Sequence, residues 1–139
     1  IAGLAEPGVR FVNRQAGSGT RMLLELMLRS ADISPNDISG YNSAEFTHSA
    51  VAAYIASGMA DVGLGVRTAA QRFKLDFIPL LRERYFFAMR RDAADAPLMR
   101  QIITILQTRE YHAQVNELTG YDASDTGKIL SLHEAFGIA

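Results

Sequence analysis

Arg10-Phe11-Val12-Asn13-Arg14-Gln15-Ala16-Gly17-Ser18-Gly19-Thr20-Arg21 is a short apolar strand that runs through a glycine-hydroxyl turn into a leucine-rich stretch, residues 22–28. The first turn of a helix carries backbone N–H groups with no intrahelical acceptor, and the helix dipole adds partial positive charge at that end. Anions settle there. Gly17 and Gly19 admit close backbone approach, Ser18 and Thr20 supply hydroxyls, and Arg14 and Arg21 bring permanently charged, planar donors. Asn13 and Gln15 carry amides that either donate to an oxyanion or fix the turn. No nucleophile stands beside a base in this stretch, so it suits holding a ligand rather than cutting one.

Two nucleotide signatures are excluded. The spacing G-x-x-x-x-G-K-[ST] and its lysine are missing, and Gly17 and Gly19 lack the third glycine of G-x-G-x-x-G. The same four residues, Gly17-Ser18-Gly19-Thr20, also suit an ordinary strand-to-helix turn with Ser18 or Thr20 as N-cap.

Outward from this stretch, the first helix is expected to end near Ala31-Asp32. The cluster Ser34-Pro35-Asn36-Asp37 reads as a turn, and residues 38–41 as a short strand. Thr47 is the expected N-cap of a second helix in which Val51, Ala52 and Ile55 share a face and Gly58 is the stop. Residues 61–66 predict a small-residue strand, 67–73 a helix and 76–81 another strand. Such alternation marks an α/β unit with a mostly parallel sheet, whose ligands lie beyond the carboxyl ends of the strands. The helix starts at Ser18-Gly19-Thr20 and Thr47-His48 then fall on one edge of the sheet, together with the glycines after Asp61.

Further on, residues 82–91 are aromatic in the middle and charged at both ends, a buried strand with solvated ends. Pro97 opens a helix with an apolar stripe of Leu98, Ile102, Ile105 and Leu106, and a further helical stretch over 111–118 ends at Gly120. The tail, 121–139, reads as a turn and then a weak strand or helix.

Composition limits the function classes. The chain has 139 residues, 48% of them apolar, enough for one ordinary domain, or one lobe and part of another. A net charge of −1, from 14 basic and 15 acidic residues, argues against general binding to nucleic acid or a membrane surface. Any anion affinity must be local. With no cysteine and three scattered histidines, no disulfide framework or metal-ligand pattern is present. No apolar run approaches the roughly 20 residues of a membrane span, so no membrane partner is expected. The opening Ile1-Ala2-Gly3-Leu4-Ala5-Glu6-Pro7-Gly8 has no initiator methionine and no signal-type core. It reads as a segment of a longer protein, cytoplasmic unless a signal peptide has been removed, in which case periplasmic or extracellular.

The run from Phe11 to Arg21, then Gly40-Tyr41, Thr47-His48, Ala60-Asp61-Val62-Gly63-Leu64-Gly65, Leu75-Asp76-Phe77-Ile78-Pro79-Leu80 and Glu83-Arg84-Tyr85 resembles the periplasmic-binding-protein-like domain of molybdenum-related bacterial and archaeal proteins. In that family the domain is fused to helix-turn-helix regulators or to molybdopterin-biosynthesis proteins. The chain is also similar, more distantly, to the second lobe of tungstate- and phosphate-binding proteins. The resemblance implies an α/β, three-layer αβα lobe of the type II binding fold, with residues 1–85 as lobe two. Residues 86–139 then correspond to the return into lobe one, whose first half would precede Ile1.

It further implies a ligand at Ser18, Gly19 and Thr20, with Gly17 shaping the turn. Of Arg14 and Arg21, one is expected at the ligand and the other paired with Glu25 or Glu83. Thr47 offers a hydroxyl or a plain N-cap. His48 either contacts a ligand oxygen or is a structural first-turn histidine. Tyr85 closes the cleft or packs in a core.

The expected function is non-enzymatic sensing of a molybdate- or tungstate-type oxyanion, or of a pterin-type ligand, by lobe closure, with no intrinsic cofactor. DNA would be reached only through a separate N-terminal domain, and the face meant for the absent half favours a homodimer. An enzyme domain assisting molybdenum insertion, and a protein-interaction module, are the alternatives.

Overall fold

After one turn of 3-10 helix, Ala2–Ala5, the chain enters strand β1, Phe11–Arg14, and the alternation along this strand sets the layers. Phe11 and Val12 are both sealed from solvent, yet successive strand side chains point to opposite faces. Phe11 packs with Leu4, Leu24, Leu28 and Ile38. Val12 packs with Val51 and Ala60. Leu24 and Leu28, one turn apart, belong to helix α1, Gly19–Ser30, and Val51 belongs to α2, His48–Ala56. The two helices therefore cover opposite faces of the sheet, which is a three-layer α/β arrangement.

This computed structural model describes residues 1–137. The chain divides into two units, Ile1–Pro79 and Leu80–Ala139. In the first, β1 lies between β2, Ala44–Glu45, and β3, Val62–Gly63, all three parallel. Asn13 and Arg14 stand opposite Ala44 and Glu45, and Phe11 and Val12 opposite Val62 and Gly63. The ladder to β2 extends past β1, because the Gln15 N–H donates to the Glu45 carbonyl at 3.1 Å. Glycine is needed at 63: a Cβ there would lie 2.7 Å from Val51 Cγ1 and 2.8 Å from the Val12 carbonyl, so α2 could not sit so close to the sheet. Helix α3, Arg67–Arg72, follows β3 and buries Ala69.

The entries of β1 and β3 are tied together by charge. Arg10 donates from Nε at 3.0 Å and from its backbone N at 2.9 Å to Asp61 Oδ2, and from Nη2 at 2.6 Å to Oδ1. Its Nη1 donates to the Gly58 carbonyl at 2.7 Å. These bonds from the Arg10 side chain and backbone pull the Asp61 carboxyl down to about 2, from an ordinary 3.8.

The second unit is helical: α4 (Arg91–Ala94), α5 (Pro97–Leu106), α6 (Arg109–Glu117) and α7 (Leu132–Phe136). Thr108 caps α6, and a Ser131/Glu134 capping box starts α7. The His112 Nε2 lies 2.9 Å from the Leu106 carbonyl and 3.1 Å from that of Thr126, so this histidine joins two stretches of backbone.

Several strand expectations are corrected. Residues 38–41 are not a strand; Pro35–Asp37 is a 3-10 turn and the strand lies later, at Ala44–Glu45. The strand expected over 61–66 shrinks to Val62–Gly63. Neither 76–81 nor 82–91 forms a strand, and the latter is exposed rather than buried. The physical reason is shared. A strand exists only as part of a ladder, and residues 76–89 make no backbone–backbone hydrogen bond among the described residues. The stripe on α5 is likewise only half covered, with Ile102 and Leu106 partly buried and Leu98 69% exposed. The tail adopts the helical alternative as α7; positions 138–139 of that expectation lie outside the described residues.

Candidate functional site

The chain leaves β1 for β2 by way of α1 on one face, and the helix after β3 packs with α2 on the other, so the strand order reverses between β1 and β3. Such a switch opens a crevice beyond the strand carboxyl ends, the usual ligand position in open α/β sheets. Arg14 ends β1 at that crevice and Gly65 lies just past the end of β3, while Glu45 ends β2 on the other side of β1.

Arg14 follows Val12 on the α2 face. Its Nη2 donates to the Phe46 carbonyl at 3.0 Å, and its Nη1 lies 3.0 Å from both ring nitrogens of His48, the first residue of α2. A guanidinium only donates, so the ring nitrogen that it engages accepts. The third guanidinium nitrogen, Nε, is sealed from solvent and has no hydrogen-bond partner among the described residues. His48 also stands against the end of β3: a Cβ on Gly65 would be 3.8 Å from its Nδ1. Arg14 and His48 thus bring the three strand ends to one place.

On the α1 face, Asn13 is 2% exposed and fully engaged. Its Nδ2 donates to the Tyr41 carbonyl at 3.0 Å and its Oδ1 accepts from the Arg14 N–H at 2.9 Å. Asn13 therefore fixes the turn. The Gln15 side-chain oxygen is buried without a partner among the described residues. Gly17, at φ +83°, makes the reversal that a side chain would strain, and the Ser18 N–H donates back to the Gln15 carbonyl at 3.3 Å.

Ser18 is the N-cap of α1, its hydroxyl accepting from the Arg21 N–H at 3.2 Å. Gly19 and Thr20 form the first turn, Thr20 half-buried. Arg21 is turned aside: its Nε donates to Glu25 at 2.8 Å and its guanidinium lies 4.1 Å from the Tyr41 ring centroid. Thr47 caps α2, accepting from the Ala50 N–H at 3.0 Å. Of the residues anticipated as ligands, Tyr85 alone belongs to the second unit, where it is 75% exposed and its hydroxyl donates to Glu83 at 3.3 Å.

Sequence reasoning missed Phe46. Its carbonyl anchors Arg14 while the residue as a whole is 74% exposed. A signal was there: a lone aromatic between the polar run Asn42-Ser43 and the cap Thr47, at a strand-to-helix junction.

A family model described as a PBP superfamily domain matches residues 1–107. The uncharacterized protein YvgK of Bacillus subtilis is 35% identical over 127 residues, an alignment covering 91% of this chain and 41% of that protein. An uncharacterized protein from the 5′ region of the ferredoxin 2Fe-2S gene of Clostridium pasteurianum is 34% identical over 111 residues, covering 79% of this chain and 98% of that one. The chain thus spans less than half of the first relative and nearly all of the second. No solved structure matches it significantly.

Proposed function

The chain belongs to the PBP superfamily domain family, and from that membership we propose that it binds a small anionic ligand in the crevice between β1 and β3, without catalysing a reaction on it. One observation carries this reading. Arg14 is pinned by Phe46 and His48 at a topological switch point, with a charged donor, Nε, left unmatched inside the protein. An unmatched buried donor is costly, more so when charged, and an anion removes that penalty. The first turns of α1 and α2 bring their uncommitted N–H groups to the same sheet edge.

In this reading Ser18 and Thr20 contribute from α1, His48 from α2, and Arg14 supplies the full charge. Arg21 balances Glu25 and orders Tyr41 instead. The ligand is a molybdate- or tungstate-type oxyanion, or the anionic part of a pterin-type molecule, and the whole protein is a molybdenum-responsive regulator or biosynthetic protein. The first unit, Ile1–Pro79, forms one lobe of the ligand-binding cleft, and any contact with DNA is made by another domain.

Calorimetric titration of the full-length protein with molybdate, tungstate, sulfate and phosphate tests this. Binding to at least one of them is expected, weakened about 10- to 100-fold by Arg14→Gln, the range for a charge-assisted hydrogen bond. Heat unchanged by that substitution would move the site elsewhere. No heat with any of the four would sink the oxyanion reading.

A further inference from the structure

We propose that binding of an anion in this crevice is coupled to uptake of a proton from solvent by His48, which is neutral in the empty site and becomes a second cation beside Arg14 in the occupied one. This inference rests on the anion-site reading above and adds a pH control to it.

Arg14 Nη1 lies 3.0 Å from both Nδ1 and Nε2 of His48. A guanidinium keeps its charge throughout the histidine range, so in the empty site it opposes a positive charge on the ring. An anion reverses that balance. An anion oxygen hydrogen-bonded to Nη1 lies within about 6 Å of either ring nitrogen, the range over which an opposite charge favours the charged form of a titratable group. The ring also stands where β3 ends. A Cβ on Gly65 would meet His48 Nδ1 at 3.8 Å and, beyond its chain neighbours, no other described atom within 4 Å. The glycine thus leaves room beside the imidazole.

The elements packed most closely against α2 are β1, β2, β3 and α3. Of these, β1 brings Arg14, and β2 brings Glu45, the register partner of Arg14. Helix α3 carries Arg67 and Arg72, β3 brings no charge, and Tyr54 is the other titratable group of α2 itself. These groups stand in both the empty and the occupied site, so their effect on the ring is common to the two. The anion supplies the difference. Because linkage is reciprocal, a proton that the anion favours in turn favours the anion, and affinity rises as the pH falls through the histidine range at about 6.5.

The test is calorimetry of the full-length protein at about pH 7 in two buffers of different ionisation enthalpy, with molybdate, tungstate, sulfate and phosphate. The first three carry no titrating proton near neutral pH, and the known titration of phosphate is subtracted, so the remaining proton exchanged belongs to the protein. Uptake of about 0.2–0.8 proton per anion is expected, with affinity tightening about 3- to 10-fold between about pH 7.5 and about pH 6. His48→Gln keeps a hydrogen-bonding side chain beside Arg14 but cannot titrate. It should bind more weakly and take up no proton, with circular dichroism confirming its fold. As a readout that needs no variant, the His48 ring resonance should titrate at higher pH with the anion bound than without it. Binding without proton uptake, uptake that persists in His48→Gln, or a His48 titration that the anion does not move would overturn the coupling while leaving the anion site standing. Failure of all four anions to bind would overturn the two readings together.

Discussion

Arg14 and His48, 34 positions apart in the chain, meet with the guanidinium Nη1 3.0 Å from each ring nitrogen of the imidazole. The contact joins the last residue of β1 to the first of α2, so the cation and the helix start act as a unit. Replacing His48 by Ala should loosen Arg14 and weaken anion binding, and Arg14→Gln should weaken it further. The double variant should fall short of the sum of the two losses by about 0.5–3 kcal/mol, the range for residues in contact. A double-mutant cycle on phosphate or molybdate affinity measures this, and strict additivity would mean that the pair does not work together.

The Arg10–Asp61 pair makes stability depend on acid in a definite direction. Asp61 has a folded-state value of about 2 against an ordinary 3.8, so its contribution is complete above about pH 4. It is lost as the pH falls through 2. Denaturant midpoints followed from pH 7 to pH 2 should fall more steeply below pH 4 in the unaltered chain than in Asp61→Asn. Parallel curves would show that the pair is solvated away.

Two leucines on two helices separate core from surface. Leu24 of α1 is 0% exposed against Phe11, and Leu24→Ala should destabilise the first unit by about 2–5 kcal/mol. Leu98 of α5 is mostly in solvent, and Leu98→Ala should change stability by no more than about 0.5 kcal/mol. Chemical denaturation of both variants gives the comparison. A large loss for Leu98 would mean that this chain covers α5 in solution.

Gly63→Ala inserts a methyl group where Val51 Cγ1 and the Val12 carbonyl leave no room. The β-branched Val51 has little rotamer freedom in a helix, so the strain must pass to the backbone. A loss of about 1–3 kcal/mol is expected from thermal or denaturant unfolding. A double variant with Val51→Ala that loses less than the sum of the two single losses would identify the Val51 contact as part of its source.

Much of the first unit was legible locally. Ser18 and Thr47 announce two helices by capping chemistry, and Phe11-Val12 announces the strand between two apolar faces. Together they point to the α/β class and to one edge as the place for a ligand. The candidate site was legible as a set of residues, but their roles were not. Arg14 and Arg21 look alike in the sequence, seven positions apart around one turn. Only the fold sends the first to His48 and Phe46, and the second to Glu25 and the Tyr41 ring.

Caps, helix stripes and glycine turns are determined by the sequence itself, because they are settled within a few residues by sterics and short-range hydrogen bonds. The tertiary structure alone decided that the strand beside β1 is Ala44–Glu45 rather than 38–41, and that 76–81 and 82–91 form none. It alone set the Phe46 carbonyl on the Arg14 guanidinium. Ladders, buried charges and crevices depend on partners far along the chain, and hydrophobic patterning measures a segment's readiness to pair without naming the partner.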